Sequence, residues 1–132
     1  MVKLFPRITL SGDNFSPKRV DNDSCSFFSN KKEKGDIATT GRYKGKPLPY
    51  GSAVIASPEN ITGENEKILW VIEKYLNHKE KILNCGAEDI VFHIDVNYID
   101  QCNLAFDPEI IKKISDLNIS LTITCWESDC FE

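Results

Sequence analysis

Two runs decide the fold: Asp89-Ile90-Val91-Phe92-His93-Ile94-Asp95-Val96-Asn97-Tyr98 and Ile119-Ser120-Leu121-Thr122-Ile123-Thr124-Cys125-Trp126. In the first, Ile90, Phe92, Ile94, Val96 and Tyr98 are apolar, while His93, Asp95 and Asn97 make the alternate positions polar. A period of two describes a strand with one buried face and one wet face. The second run repeats the design, which predicts Ile119, Leu121, Ile123 and Cys125 inward and Ser120, Thr122, Thr124 and Trp126 outward. Between them Asp107 is an N-cap candidate, Pro108 fits a first helical position, and Asn118 suits a left-handed stop. Ile110, Ile111, Ile114 and Leu117 form the apolar stripe of that helix. One such helix can cover the apolar side of two strands and leave a polar sheet face open.

Upstream, Gly63–Asn84 reads as a long helix, with Ile68, Leu69, Ile72, Tyr75, Leu76, Ile82 and Leu83 on one stripe. Asn77-His78 marks a candidate break in it, and Gly86 its C-cap. His78 reads as an exposed helix histidine, with no partner placed to make it a ligand. Leu4–Ser11 is a short strand whose Pro6, lacking an N–H, belongs at the strand start or on an edge. Ser16 is expected to cap a short helix beginning at Pro17. A strand is placed near Asp36–Tyr43, pairing with Ser52–Ser57 across a turn at Lys44–Tyr50, because a long structureless loop is unusual in a compact domain. The order β, short α, β, β, long α, β, α, β predicts one α+β domain over residues 1–132. It is a two-layer sandwich: a mixed, mostly antiparallel sheet with one long and one shorter helix on one face.

The 132 residues, 41% hydrophobic and 27% charged, have ordinary globular composition. No apolar run approaches the roughly 20 residues of a membrane helix, and the N-terminus lacks the apolar core of a signal peptide, so a cytoplasmic protein without a membrane partner is expected. Five cysteines (Cys25, Cys85, Cys102, Cys125, Cys130) form no CxxC pair and are expected to be mostly small buried or half-buried hydrophobes. Neither a metal nor another cofactor is expected. The net charge of −4 conceals an asymmetry: residues 1–55 carry ten Lys/Arg against five Asp/Glu, and residues 56–132 six against fifteen. A basic lobe and an acidic lobe follow, and the acidic lobe suits a cationic protein partner and repels nucleic acid.

Catalytic motifs are absent: no GxSxG, P-loop, GxGxxG or HExxH occurs. His93 and Asp95 share a strand face, where a carboxylate could raise the imidazole pKa for acid–base work; any solvated sheet face also carries such pairs. Lys31, Lys32, Lys34, Arg42, Lys44 and Lys46 could contact phosphates, but Tyr43 and Tyr50 alone make no aromatic ladder and no nucleic-acid motif accompanies them. The tail is more informative. Trp126, followed by Glu127, Asp129, Phe131 and Glu132, reads as an aromatic anchor ringed by carboxylates. The loop Tyr98–Asn103, with Asp100, Gln101 and Asn103, lies at the end of the other wet strand and can join that surface. Trp126 tucked under the lysine loop is the competing placement.

The opening Ile8-Thr9-Leu10-Ser11-Gly12-Asp13-Asn14-Phe15-Ser16-Pro17, the turn Lys34-Gly35-Asp36 and the segment Asn103-Leu104-Ala105-Phe106-Asp107-Pro108-Glu109 through Leu117-Asn118-Ile119-Ser120-Leu121 carry a resemblance. They resemble a family of small bacterial domains of unknown function that includes immunity proteins of polymorphic-toxin and contact-dependent growth inhibition systems. The chain departs from that pattern at Ala53-Val54-Ile55, where a tryptophan is frequent, and in its long lysine loop. The resemblance implies a non-enzymatic, monomeric, cytoplasmic immunity protein that binds a cognate toxin domain, a basic nuclease by expectation. Asp95, Asn97, Tyr98, Asp100, Trp126, Glu127 and Asp129 are the expected partner-binding residues. The alternative is a small enzyme or ligand-binding domain centred on His93 and Asp95.

Overall fold

A computed structural model describes residues 1–20 and 27–129. The elements run β1 (Val2–Gly12), α1 (Pro17–Val20), β2 (Asn30–Lys32), β3 (Gly51–Ala56), α2 (Glu64–Asn84), β4 (Asp89–Tyr98), α3 (Pro108–Asp116) and β5 (Ser120–Glu127). The strands form one sheet in the order β2-β3-β1-β4-β5. All neighbours are antiparallel except β4 and β5, which are parallel. The mixed α+β architecture and the order of elements are those the hydropathy pattern predicts.

The period of two builds the core. Ile8 and Leu10 of β1, Ala53 and Ile55 of β3, and Phe92, Ile94 and Val96 of β4 turn to the helix side and are buried. Ile68, Val71, Ile72, Tyr75 and Ile82 of α2 meet them, joined by Ile110 and Leu117 from the α3 region. α2 runs unbroken through Asn77-His78, since neither residue breaks a helix whose apolar stripe continues on both sides. It ends in a Schellman motif: Gly86, at φ 100, donates to Leu83 O, and Ala87 donates to Ile82 O. Asp107 is the α3 N-cap residue with Pro108 next, and Asn118 adopts φ 55 as the left-handed stop.

Four local expectations are corrected. Asp36–Tyr43 is not a strand. The chain folds back on itself there, with Ala38 donating to Lys46 O and Leu48 to Asp36 O, and β3 takes Asn30–Lys32 as its neighbour instead. Gly35, Gly41 and Gly45, all at positive φ, supply the bends that a straight strand would forbid. The Ser16 hydroxyl does not cap α1. It donates to Glu33, whose other oxygen accepts the Lys18 N–H at 2.7 Å, so a carboxylate from outside the helix caps it. Pro6 lies inside the central strand. Its alternate neighbour Leu4 directs its N–H and C=O away from β4, to Glu64 at 2.7 Å and Lys67 at 3.2 Å. Pro6 therefore faces the same way, where β3 has already ended at Ala56, opposite Arg7. The ladder position it cannot fill has no strand beside it.

The fourth correction concerns β5. Leu121, Ile123 and Cys125 do lie on the helix side, opposite Phe92, Ile94 and Val96. They are nevertheless exposed, Leu121 by 40% and Ile123 by 43%. α2 packs over β1 and β3, and among the described residues neither it nor α3 packs closely on β5. The helical layer is narrower than the sheet. Ile111, expected in the covering stripe of α3, is likewise exposed.

Candidate functional site

The face away from the helices is the open one. Across it β1 contributes Lys3, Phe5, Arg7 and Thr9, β4 contributes His93, Asp95 and Asn97, and β5 contributes Thr122, Thr124 and Trp126. Register decides which of these meet. Arg7 lies opposite His93, and His93 opposite Thr122. One step along, Phe5, Asp95 and Thr124 share a row, and beyond it Lys3, Asn97 and Trp126.

His93 and Asp95 do not act as a pair. The Arg7 guanidinium donates to Asp95 in a half-buried ion pair, so Asp95 is already engaged. The His93 ring lies between two hydroxyls, Thr9 Oγ1 at 3.1 Å from Nε2 and Thr122 Oγ1 at 2.5 Å from Nδ1. A neutral imidazole offers one donor and one acceptor, and a threonine hydroxyl can answer either. Burial, then the nearby Arg7 charge, holds the imidazole pKa below its ordinary value. That is opposite to the rise expected if Asp95 were its partner. Clefts lie elsewhere: one of about 750 Å³ runs between Tyr75, Lys79, Glu88 and Ser115, and one of about 380 Å³ lies where β3 ends, beside Phe5, Glu64 and Lys67. Neither is lined by His93 or Asp95.

The remaining candidates converge on one end of the sheet, because β4 and β5 are parallel and finish together. Tyr98 lies opposite Glu127, and Asn97 opposite Trp126. Ser128 fastens the two ends: its N–H donates to Tyr98 O at 2.8 Å and its hydroxyl to Asn97 Oδ1 at 2.5 Å. Asp100 sits just beyond at φ 66, exposed, and Glu127 and Asp129 are exposed as well. Trp126 is 42% exposed, on the strand farthest from the lysine loop beside β2, which excludes the tucked placement. Glu127 has the parity of the helix side, so the carboxylates rim the end of the sheet and do not carpet its face. Cys130, Phe131 and Glu132, like Cys25, lie outside the described residues.

Sequence reasoning missed Arg7, Thr9, Thr122 and Phe5. Phe5 is 44% exposed, on the same face as Trp126, with the Lys3 and Lys67 ammonium groups 5.8 and 5.6 Å from its ring. The odd positions of β1 announce a polar face, but nothing local announces which strand they adjoin. His78 stacks on Phe27 at 4.1 Å and its Nδ1–H donates to Lys74 O. Among the described residues no group of three His, Cys, Asp or Glu could hold a metal ion, and no helix is long and apolar enough to cross a membrane. No family model matches this chain, nor does any curated protein or solved structure.

Proposed function

We propose that this protein is an immunity protein, one that binds and neutralises a cognate bacterial toxin domain, a basic nuclease by preference, by covering its active site or substrate surface. The observation that carries the reading is the open end of the sheet, where exposed Trp126 stands beside Asn97 with Asp100, Glu127 and Asp129 around it. A large aromatic at the centre and carboxylates at the rim divide the work of an interface. The ring supplies buried area, and the charges steer encounter with a cationic surface. Phe5, on the same face, widens the apolar part, while Tyr98, opposite Glu127, has the parity of the helix side and belongs to the rim. Asp95, held by Arg7, contributes a fixed pair that a basic partner could extend. His93 held between Thr9 and Thr122, and Asp95 held by Arg7, with neither lining the two clefts described, support a binder over the rival enzyme centred on His93.

The test is co-expression with candidate toxin domains sought in the reading frames that adjoin this one. Trp126→Ala is expected to weaken binding about 30-fold, the scale of a hot-spot residue. The double change Glu127→Lys and Asp129→Lys is expected to slow association about tenfold at low salt and to abolish protection of the cell. Full protection and unchanged affinity in both variants would remove this surface from consideration.

A further inference from the structure

We infer that the free edge of β5 is an interface with a second copy of this chain, the two β5 strands pairing antiparallel about Ile123 to continue the sheet. This does not rest on the toxin-binding reading, because pairing occurs along the edge and leaves the open face uncovered.

The two edges of the sheet differ. β2 is three residues long and carries Lys31 and Lys32, the short, charged kind of edge that discourages pairing. β5 is eight residues long, Ser120-Leu121-Thr122-Ile123-Thr124-Cys125-Trp126-Glu127, with no proline, glycine or lysine and no charge before its last residue. Its helix-side row is apolar and exposed, because the helical layer stops short of it. Such an edge is a template for another strand.

The sequence of β5 favours its own copy as that strand. A two-fold axis through Ile123 sets Ile123 against Ile123 and Leu121 against Cys125 on the helix side. On the open face it sets Thr122 against Thr124 and Ser120 against Trp126. Ile123 with Ile123, Leu121 with Cys125 and Thr122 with Thr124 join like to like, apolar with apolar and hydroxyl with hydroxyl, as stabilising cross-strand pairs require, and Ser120 against Trp126 brings no charge into the pair. The single charge falls well: Glu127 would face Ile119, and the two Glu127 side chains would stand about 27 Å apart along the strands. Backbone direction agrees. Ser128 donates its N–H to Tyr98 on β4, so with a period of two the outward N–H and C=O groups belong to Leu121, Ile123, Cys125 and Glu127. Ile123 then exchanges both of its hydrogen bonds with its counterpart. One strand pair buries less than the ~800 Å² per partner of a standard interface, so a micromolar dimer is the expected form.

Analytical ultracentrifugation of the full chain under reducing conditions, from micromolar to millimolar concentration, tests this. The expected result is a concentration-dependent shift from one chain to two. Ile123→Lys, which places like charges face to face in the dimer but is solvated in the monomer, should remain a monomer with an unchanged circular dichroism spectrum. Leu76→Lys, on an exposed position of α2, should dimerise as the parent does. Hydrogen exchange on the unaltered chain reads the same contact without a variant: the amides of Leu121, Ile123, Cys125 and Glu127 should gain protection as concentration rises. A parent that stays monomeric throughout, a dimer indifferent to Ile123→Lys, or protection that is insensitive to concentration would overturn the inference.

Discussion

His93 shows how far a side chain's neighbours decide its role. On its own strand the polar residue two positions on is Asp95, yet the ring bonds to threonines on the strands to either side while Asp95 binds Arg7. Its pKa lies below the ordinary value, from burial first and Arg7 second, so folding favours the neutral ring. The sign follows: the stability this confers is present above the ordinary histidine pKa of about 6.5 and is lost as pH falls through the lowered folded value. The melting temperature is therefore expected to fall on acidification below about pH 6.5 more steeply in the parent than in His93→Gln, which cannot charge. Calorimetry of the two proteins across that interval checks it; parallel curves would mean the ring is indifferent to its protonation.

At the scale of elements, three glycines hold the turn after β1. A Cβ on Gly51 would lie 1.9 Å from the Phe15 carbonyl oxygen, one on Gly12 2.3 Å from that of Gly86, and one on Gly86 2.6 Å from that of Asn14. Each obstacle is backbone and cannot swing aside. Gly51→Ala is expected to cost about 2–3 kcal/mol, which is on the order of 10 °C in melting temperature for a chain of this size; thermal melts of the variant measure it. Elements were the scale most legible in the sequence. The alternation of β4, the stripe of α2 and the stops at Gly86 and Asn118 are local patterns that chain geometry enforces. Pairing was not legible, since Arg7 finds His93 across most of the chain and no local signal encodes that choice. The strand expected at Asp36–Tyr43 failed for a related reason: strand-like residues stood there, but the neighbouring place on β3 went to Asn30–Lys32. Of the candidate site, the gathering of Asn97, Tyr98, Asp100, Trp126, Glu127 and Asp129 was foreseeable from two strands ending in polar tails. The engagement of Asp95 by Arg7 and the exposure of Phe5 depend on register and were not.

At the scale of the molecule, the charge asymmetry of the sequence becomes a spatial one. The lysines follow β2 at one edge of the sheet, while Glu127, Asp129 and Asp100 gather at the end of the β4–β5 pair on the other side. Opposite signs at opposite edges orient a charged partner before contact. The acidic end would meet a basic toxin first, and the lysine side would be turned away from it. Raising ionic strength should therefore slow that association while leaving dissociation nearly unchanged, which stopped-flow binding over a salt series resolves.

The strand at the centre of the sheet precedes both of its neighbours in the sequence. β1 lies between β3 and β4, with Ile8 beside Ile55 on one flank and Phe92 on the other. A nascent chain leaving the ribosome carries this apolar ribbon without its second flank until β4 has been made, and refolding from denaturant must close the same long loop before the sheet is rewarded. Such distant pairing places refolding in the millisecond-to-second range of topologically complex domains. Truncation ahead of Asp89 would leave the central ribbon bare on one side, open to whatever hydrophobic surface arrives first.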